Sequence, residues 1–290
     1  MSIEVVRFEG AAALREVAEP YLMRHEAEHN LILGLIANLE AAPRLYGPEE
    51  PYLAAAMEGR DVVAAAVMTP PRPLVLSLCE EEPAEAIARD VLAFRRGTAG
   101  VNGPGPAPLR FAQAWQRLTG DAYSVLIAER CYKLTRVRPP RGVPGSARRA
   151  TAADVELITD WRVAFAAEAV PFDVSPREEV KAYALQHLVA PPERTGTLLW
   201  EDGGRPVSMA SYGGPTPNSL RIGPVYTPPE FRGRGYASAC TAAASQYILD
   251  SGKTFATLFT DLANPTTNHI YQEIGFEPVC DAMVYGFERR

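Results

Sequence analysis

The sequence predicts an α/β protein that uses one order of elements twice, and three observations carry that prediction. Its 290 residues are long for a single hydrophobic core and comfortable for two. Alternating and helical apolar periods follow one another as strand, helices, hairpin, strand, helix, strand, helix, strands, and the same order recurs after residue 145. Between the two runs stands Pro139-Pro140-Arg141-Gly142-Val143-Pro144-Gly145, in which paired prolines stop a strand and glycines follow. Residues 1–138, a linker at 139–145 and residues 146–290 are the expected divisions.

In the first half, Ile3 to Phe8 alternates as a strand, and Ala11 to about Glu40 carries helically spaced leucines, with Pro20 read as the start of a second helix. Pro51 to Met57 and Val62 to Met68 flank the turn Glu58-Gly59-Arg60-Asp61 and predict a hairpin. Leu74 to Leu78 reads as a strand and Pro83 to Arg96 as a helix stopped by Gly97. The glycines and prolines of Gly100 to Pro106 read as a turn-rich joint. Leu109 to Thr119 follows as a helix, then Tyr123 to Ala128 and Tyr132 to Val137 as strands.

The second half opens with Thr151-Ala-Ala-Asp154, a capping box with Asp for Glu, leading a helix through Trp161 and Phe165. Ser175-Pro176-Arg177-Glu178 starts another helix, with Ser as cap and Pro at the first position, running to about Val189. Thr195 to Trp200 and Val207 to Tyr212 form a hairpin around Gly203-Gly204, and Leu220 to Thr227 is the next strand. A helix from about Gly235 to Asp250, a strand at Thr254 to Thr260, a helix opened by Asn264-Pro265 and ended by Gly275, and strands at Phe276 to Val279 and Met283 to Phe287 complete the chain.

The chemistry concentrates where the strand Leu220 to Thr227 meets the helix after it. Between them lies Pro228-Pro229-Glu230-Phe231-Arg232-Gly233-Arg234-Gly235-Tyr236-Ala237. The first turn of a helix has backbone N–H groups without partners, and its dipole favours negative charge. Gly233 and Gly235 let the backbone approach a ligand closely, and Arg232 and Arg234 add positive charge. A phosphate or pyrophosphate is the expected guest. The first half has Glu80-Glu81-Glu82 at the corresponding strand-to-helix turn, and three carboxylates repel a phosphate.

Several function classes are disfavoured. Net charge is -6, with 16 basic and 18 acidic residues up to residue 145 and 13 against 17 after it, so neither half has the basic excess of a nucleic-acid binder. GxxxxGK[ST] and Rossmann glycine spacing are absent. The four cysteines are scattered and read as reduced, buried thiols. His25 and His29 share a helical spacing, but His-Glu-Ala-Glu-His is not HExxH and a third ligand is missing, so no metal is expected. No apolar run reaches the ~18 residues of a membrane span, and the N-terminus reads as a strand, so a cytoplasmic protein away from membranes is expected.

Arg232-x-x-Gly235-x-Ala237 after one strand, and Asn264-Pro-Thr-Thr-Asn268-x-Ile-Tyr271-x-x-Ile-Gly-Phe276 after the next, resemble the GNAT acyltransferase superfamily over residues 146–290. The whole chain resembles bacterial tandem proteins of that family with a degenerate N-terminal copy. The resemblance implies two GNAT-like domains, each a mixed, mostly antiparallel sheet flanked by helices. It implies acetyl-CoA, or a related acyl-CoA, as co-substrate. Main chain from Arg232 through Gly233, Arg234, Gly235 and Tyr236 to Ala237 would hold the pyrophosphate. Val225, Tyr226 and Thr227 would border the pantetheine arm, where two strands splay apart, with Asn264 also on the arm. Tyr271 would give a proton to the departing thiolate, and the Val225 amide would polarise the thioester carbonyl. Trp161 and Glu168 lie on the helix that flanks the acceptor in this family, and Tyr212 is a further pocket candidate. Glu168, Asp173, Tyr212 and Asp261 are the candidates for a general base. The implied reaction is acetyl transfer to a primary amine in a ternary complex. The acidic balance favours small cationic amines or amino-acid derivatives over acidic partners, and a small-molecule acceptor is expected rather than a protein. A CoA-sensing module without turnover is the alternative, and a homodimer is compatible with either.

Overall fold

The computed structural model describes residues 2–95, 97–171 and 175–288. By contacts the chain forms two compact units. The first comprises Met1–Cys131, Asp261–Ala263 and Val279–Arg290, and the second Tyr132–Thr260 and Asn264–Pro278.

The N-terminal unit runs β1 (Ile3–Arg7), α1 (Ala11–Leu22), α2 (Asn30–Ala41), β2 (Tyr52–Glu58), β3 (Asp61–Met68), β4 (Leu74–Leu76), α3 (Glu81–Arg95), β5 (Gly100–Pro104), α4 (Ala107–Thr119) and β6 (Ala122–Leu134). β1, β2, β3 and β4 pair antiparallel in sequence, and β4 pairs parallel with β5. The alanine runs of β2 and β3 are buried on both faces. Ala54, Ala56, Ala64 and Ala66 meet α3 and α4, while Ala55, Ala65 and Val67 meet α1 and α2. β12 (Glu277–Glu288), from the end of the chain, completes this sheet by pairing Ala282–Gly286 antiparallel with Gly100–Pro104.

The C-terminal unit repeats the order: β7 (Ser146–Arg149), α5 (Val155–Ala169), α6 (Arg177–Val189), β8 (Gly196–Asp202), β9 (Arg205–Gly213), β10 (Ser219–Tyr226), α7 (Tyr236–Asp250), β11 (Phe255–Asp261) and α8 (Pro265–Ile274). The pairings repeat too, antiparallel from β7 through β10 and then parallel between β10 and β11. α7 covers one sheet face, where Cys240 and Ala244 cluster with Ala210, Tyr212 and Leu258. α5 and α6 cover the other, where Ile158, Trp161 and Leu188 cluster with Leu199, Met209 and Tyr226. The fold is thus mixed α/β, with mostly antiparallel strands flanked by eight α-helices among the described residues.

Five local expectations change. Pro20 lies inside α1, in its last turn, and α2 begins only at Asn30. Gly100–Pro104 is a strand rather than a joint. Its glycines are required there because a Cβ at Gly100 would stand 2.0 Å from Tyr285 O, and one at Gly103 would stand 2.4 Å from Leu76 O. β6 and β12 are each one long strand where two were expected: Glu129-Arg130-Cys131 contains no turn former, and Asp281 is held across the strands by Arg130. Ser146–Arg149 adds a strand directly after the linker. α6 begins at Arg177 with Pro176 as its N-cap and no side-chain cap, whereas the Thr151–Asp154 capping box is present as expected. Arg96, the expected last residue of α3, lies outside the described residues.

His29 is 1% exposed and its ring is spent on structure: Nδ1–H donates to Leu22 O at 2.9 Å and Nε2 accepts from the Leu78 N–H at 3.0 Å. Neither nitrogen is left for a metal. Among the described residues, no helix is long and apolar enough to cross a membrane.

Candidate active site

The site begins where two parallel strands part. β10 pairs with β11 only over Ser219–Ile222 on Phe255–Leu258. On its other edge, the register with β9 jumps from Ile222 opposite Tyr212 to Val225 opposite Ala210, so Gly223-Pro224 forms a bulge. Beyond it, the β11-facing main chain of Val225, Tyr226 and Thr227 has left the parallel ladder. A bulge that ends pairing leaves backbone polar groups open to an added, strand-like ligand.

Next comes the N-terminus of α7. Gly233 has φ +77° and Gly235 φ +79°, the left-handed region that glycine enters without penalty. Gly235 is the N-cap, no side chain caps the helix, and the first turn holds no acidic residue. The first capping bond is from the Ala239 N–H to Gly235 O at 3.0 Å, so the amides of Tyr236, Ala237 and Ser238 precede the helical ladder. In the N-terminal unit the matching helix α3 carries Glu81 and Glu82 in its first turn, with negative charge where an anion would sit.

The side chains around this cradle divide in role. Arg232 is committed to the protein. Its Nη2 donates to Glu168 Oε2 at 2.7 Å, its Nε donates to Thr227 O at 2.9 Å, and the guanidinium lies 5.8 Å from the Tyr226 ring centroid. The Tyr226 hydroxyl donates to the other Glu168 oxygen at 3.3 Å. Arg232, Glu168 and Tyr226 therefore brace the end of β10. The Tyr236 hydroxyl donates to Asp202 Oδ2 at 2.5 Å, which fixes the start of α7 to β8 and leaves only the Tyr236 main chain for a ligand. Arg234 is exposed and has no carboxylate partner among the described residues.

Tyr271, on α8, packs in the cluster that contains Ile222, Val225 and Leu258, at the parting of the strands. It is 9% exposed, and its hydroxyl makes no hydrogen bond to a described protein group. Burial pushes the phenol up to about 12. Asn264 caps α8 by accepting from the Thr267 N–H at 3.1 Å through Oδ1, which leaves its side-chain N–H groups outside the cap.

The expected linker contributes to the site, which its turn-rich sequence did not announce. Arg136 to Arg141, with Ser238 and the Ile270, Glu273 and Ile274 side of α8, line a cleft of about 1030 Å³. The Arg138 N–H donates to Ile274 O at 2.7 Å, and Trp200 Nε1–H donates to Pro144 O at 2.8 Å. A Cβ at Gly235 would come 2.9 Å from Val143 Cγ2, so the linker passes directly over the cradle. Arg136, Arg138 and Arg141 are exposed and form no ion pair among the described residues. Three arginines separated by one and two residues were the available sequence signal.

The remaining candidates are distributed elsewhere. Trp161 is 9% exposed and packs its ring 6.3 Å from that of Tyr226 in the core under α5. Tyr212 is fully buried on the α7 face and donates to Pro192 O at 3.1 Å, so it is a packing residue rather than a pocket wall. Asp261 belongs to the N-terminal unit, where its Oδ1 accepts from the Ala263 N–H at 2.8 Å. Asp173 lies outside the described residues.

Residues 157–276 match the sequence profile of the Acetyltransferase (GNAT) family. No curated protein sequence matches. Among solved structures, a GCN5-related N-acetyltransferase from Sphaerobacter thermophilus superposes with a TM-score of 0.61 at 16% identity, covering 99% of this chain and 96% of that one. One from Kribbella flavida gives 0.60 at 17%, covering 89% and 96%. A tandem GNAT protein from the clavulanic acid biosynthesis pathway gives 0.59 at 15%, covering 99% and 98%. At these identities the structures are alike in fold alone.

Proposed function

We propose, from the match of residues 157–276 to the Acetyltransferase (GNAT) family, that this chain is an acyltransferase of that superfamily and moves an acyl group, acetyl in the first instance, from acyl-CoA to a primary amine within a ternary complex. The observation that carries this reading is the conjunction of an uncapped α7 N-terminus with parted strands whose residues Ile222, Val225 and Leu258 share a cluster with Tyr271. The free amides of α7 and Arg234 suit a pyrophosphate. The main chain from Val225 to Thr227 and the Asn264 amide suit the two amide groups of pantetheine. Arg136, Arg138 and Arg141, beside Ser238, suit the phosphorylated nucleotide end.

In this reading the amine nitrogen attacks the thioester carbonyl carbon, a C–N bond forms, the C–S bond breaks, and the sulfur leaves as thiolate. The Tyr271 hydroxyl, protonated and unengaged, donates to that sulfur. The Val225 amide polarises the carbonyl oxygen. The nitrogen loses its proton to solvent, since Glu168 is held by Arg232 and Tyr226. The N-terminal unit is read as a second copy of the fold whose anion site Glu81 and Glu82 have replaced, in a cytoplasmic enzyme.

A CoA-binding module without turnover is the second reading, favoured by the commitment of Glu168 to Arg232 and of Tyr212 to the core. Calorimetry with acetyl-CoA, followed by thiol release across a panel of primary amines, separates the two. Binding with amine-dependent release supports the transferase, binding alone supports the module, and no binding overturns both.

A further inference from the structure

The inward stripe of α5 reads Ile158, Trp161, Arg162 and Phe165, so a cation occupies a position where spacing calls for an apolar side chain. The Arg162 guanidinium lies 5.1 Å from the Tyr183 ring centroid on α6. Among the described residues its single hydrogen bond is from Nη1 to Ser211 Oγ, at the outer limit of 3.5 Å. A guanidinium offers five N–H donors, and the others have no acceptor among the described residues. Partly buried cations are ordinarily paired, because desolvation penalises a lone charge.

Four of the five carboxylates on the two covering helices are used elsewhere, and the fifth, Glu179, is exposed. Glu156 and Asp160 bind Arg177 on the outer face, Glu156 also binds Lys181, and Glu168 binds Arg232. Glu178 faces Arg177. The imidazole of His187 lies beside this place, 3.3 Å from where a Cβ on Gly213 would be, and burial together with the Arg162 charge keeps it neutral.

Its location gives the arrangement meaning. Along β9, Ala210 and Tyr212 face α7, while Ser211 alternates to the α5–α6 face with Met209. Ser211 is also the β9 residue opposite the Gly223-Pro224 bulge, one step from the partner of Val225. With the arm entering from the α7 cradle, a nucleophile directed at Val225 would come from the opposite side of the sheet, the side that α5 and α6 cover. Arg162 stands on that face, level with the bulge.

We propose that Arg162, seated on Ser211 beneath the bulge, binds a carboxylate of the acceptor, so that the substrate class is an amine that also carries a carboxylate, as a free amino acid does. This deepens the transferase reading and rests on it. Thr197, whose Oγ1 lies 2.8 Å from Ser211 Oγ, fixes the hydroxyl that seats the guanidinium.

The test uses the full chain and three matched probe sets: free L-amino acids, their amides, and the amines left when the carboxyl group is removed. Thiol release from acetyl-CoA gives kcat/KM, and thermal shift with CoA present gives binding independent of turnover. We expect acids to be favoured over amides and decarboxylated amines by about 10- to 100-fold, the range of one charge-assisted hydrogen-bond pair. Arg162→Gln should abolish that preference while leaving acetyl-CoA affinity unchanged, and Arg162→Lys should restore part of it. Should Arg162→Gln fail to fold, Ser211→Ala, which removes the seat and keeps the charge, should raise KM for the acids selectively. Equal or better use of amides, a preference that survives Arg162→Gln, or neither binding nor turnover of any acid overturns the proposal. Turnover restricted to non-acids would retain the transferase and remove the anion site, whereas acid-selective binding without turnover would do the reverse.

Discussion

At Tyr271, the burial that removes the ring from water also keeps its proton in place. A phenol pushed up to about 12 is protonated at every pH where an amine acceptor is usable, so it remains a donor through the working range. Tyr271→Phe should therefore lower kcat by about 100-fold, the usual worth of a positioned proton donor. Acetyl-CoA affinity by calorimetry should stay the same, and a kcat within twofold of the parent would remove the assignment. His187 shows burial acting in the opposite direction. Burial, with the Arg162 charge second, pushes its imidazole down to about 3, against about 6.5 in an unfolded chain. Between those values the unfolded state takes up a proton that the folded state refuses. This contribution to stability is complete above pH 6.5 and is lost as pH falls toward 3. Urea midpoints for the parent and His187→Gln should converge as pH drops from 7 to 4, and parallel curves would contradict this. Tyr271 could be singled out as a candidate from the sequence because it arrives with Asn264 and Gly275-Phe276 at fixed spacing. Arg162 and His187 were not, because each matters through neighbours on other elements, Tyr183 and Ser211 for one and Gly213 for the other.

Among the elements, the segment from β10 to α7 combines a bulge, two left-handed glycines and an uncapped helix start, and the glycines separate two physical effects. Gly233 has φ +77° with nothing within 4 Å of an added Cβ, so Gly233→Ala carries only the left-handed penalty of about 1–2 kcal/mol. Gly235 has φ +79°, and its added methyl would also press on Val143 Cγ2 at 2.9 Å, displacing the linker. Urea unfolding should show Gly235→Ala costing clearly more than Gly233→Ala, with a larger loss of acetyl-CoA affinity, and equal costs would mean that the linker is not seated on the cradle. This helix start was legible because glycine between a strand and a helix has few uses. β5 was not, because glycine reads locally as a breaker. What makes Gly100 and Gly103 strand residues is the closeness of Tyr285 O and Leu76 O, supplied by β12 and β4. β6 and β12 were misdivided for a related reason: what carries each strand through its middle is a distant segment, as where Arg130 Nε on β6 donates to Asp281 Oδ1 on β12 at 2.7 Å.

For the whole molecule, the repeated element order suggested a division at residues 139–145, and the order itself is present: strand, two helices, three strands, helix, strand, helix, strand, in both halves. Periodicity and turn chemistry make such an order readable, because each element signals itself locally. They do not say which strand completes which sheet, since that depends on contacts between distant segments. The N-terminal unit takes its last strand from residues 279–290. Tyr285 is 7% exposed within the core of that unit, together with Val101, Phe111 and Trp115, and the Phe287 ring stacks 5.5 Å from Trp115. Losing one such buried aromatic ordinarily costs about 3–5 kcal/mol, and a whole domain is stable by only about 5–15 kcal/mol. Residues 1–138 made alone would lack both rings and expose the edge of β5, an unpaired strand edge that invites association. They should be aggregated or unfolded by circular dichroism and light scattering. Co-expressed with residues 139–290 they should be soluble and copurify, because the missing strand is supplied in trans. A monomeric, cooperatively melting 1–138 fragment would show that the sheet closes without β12, and the contiguous division would then describe the folding units after all.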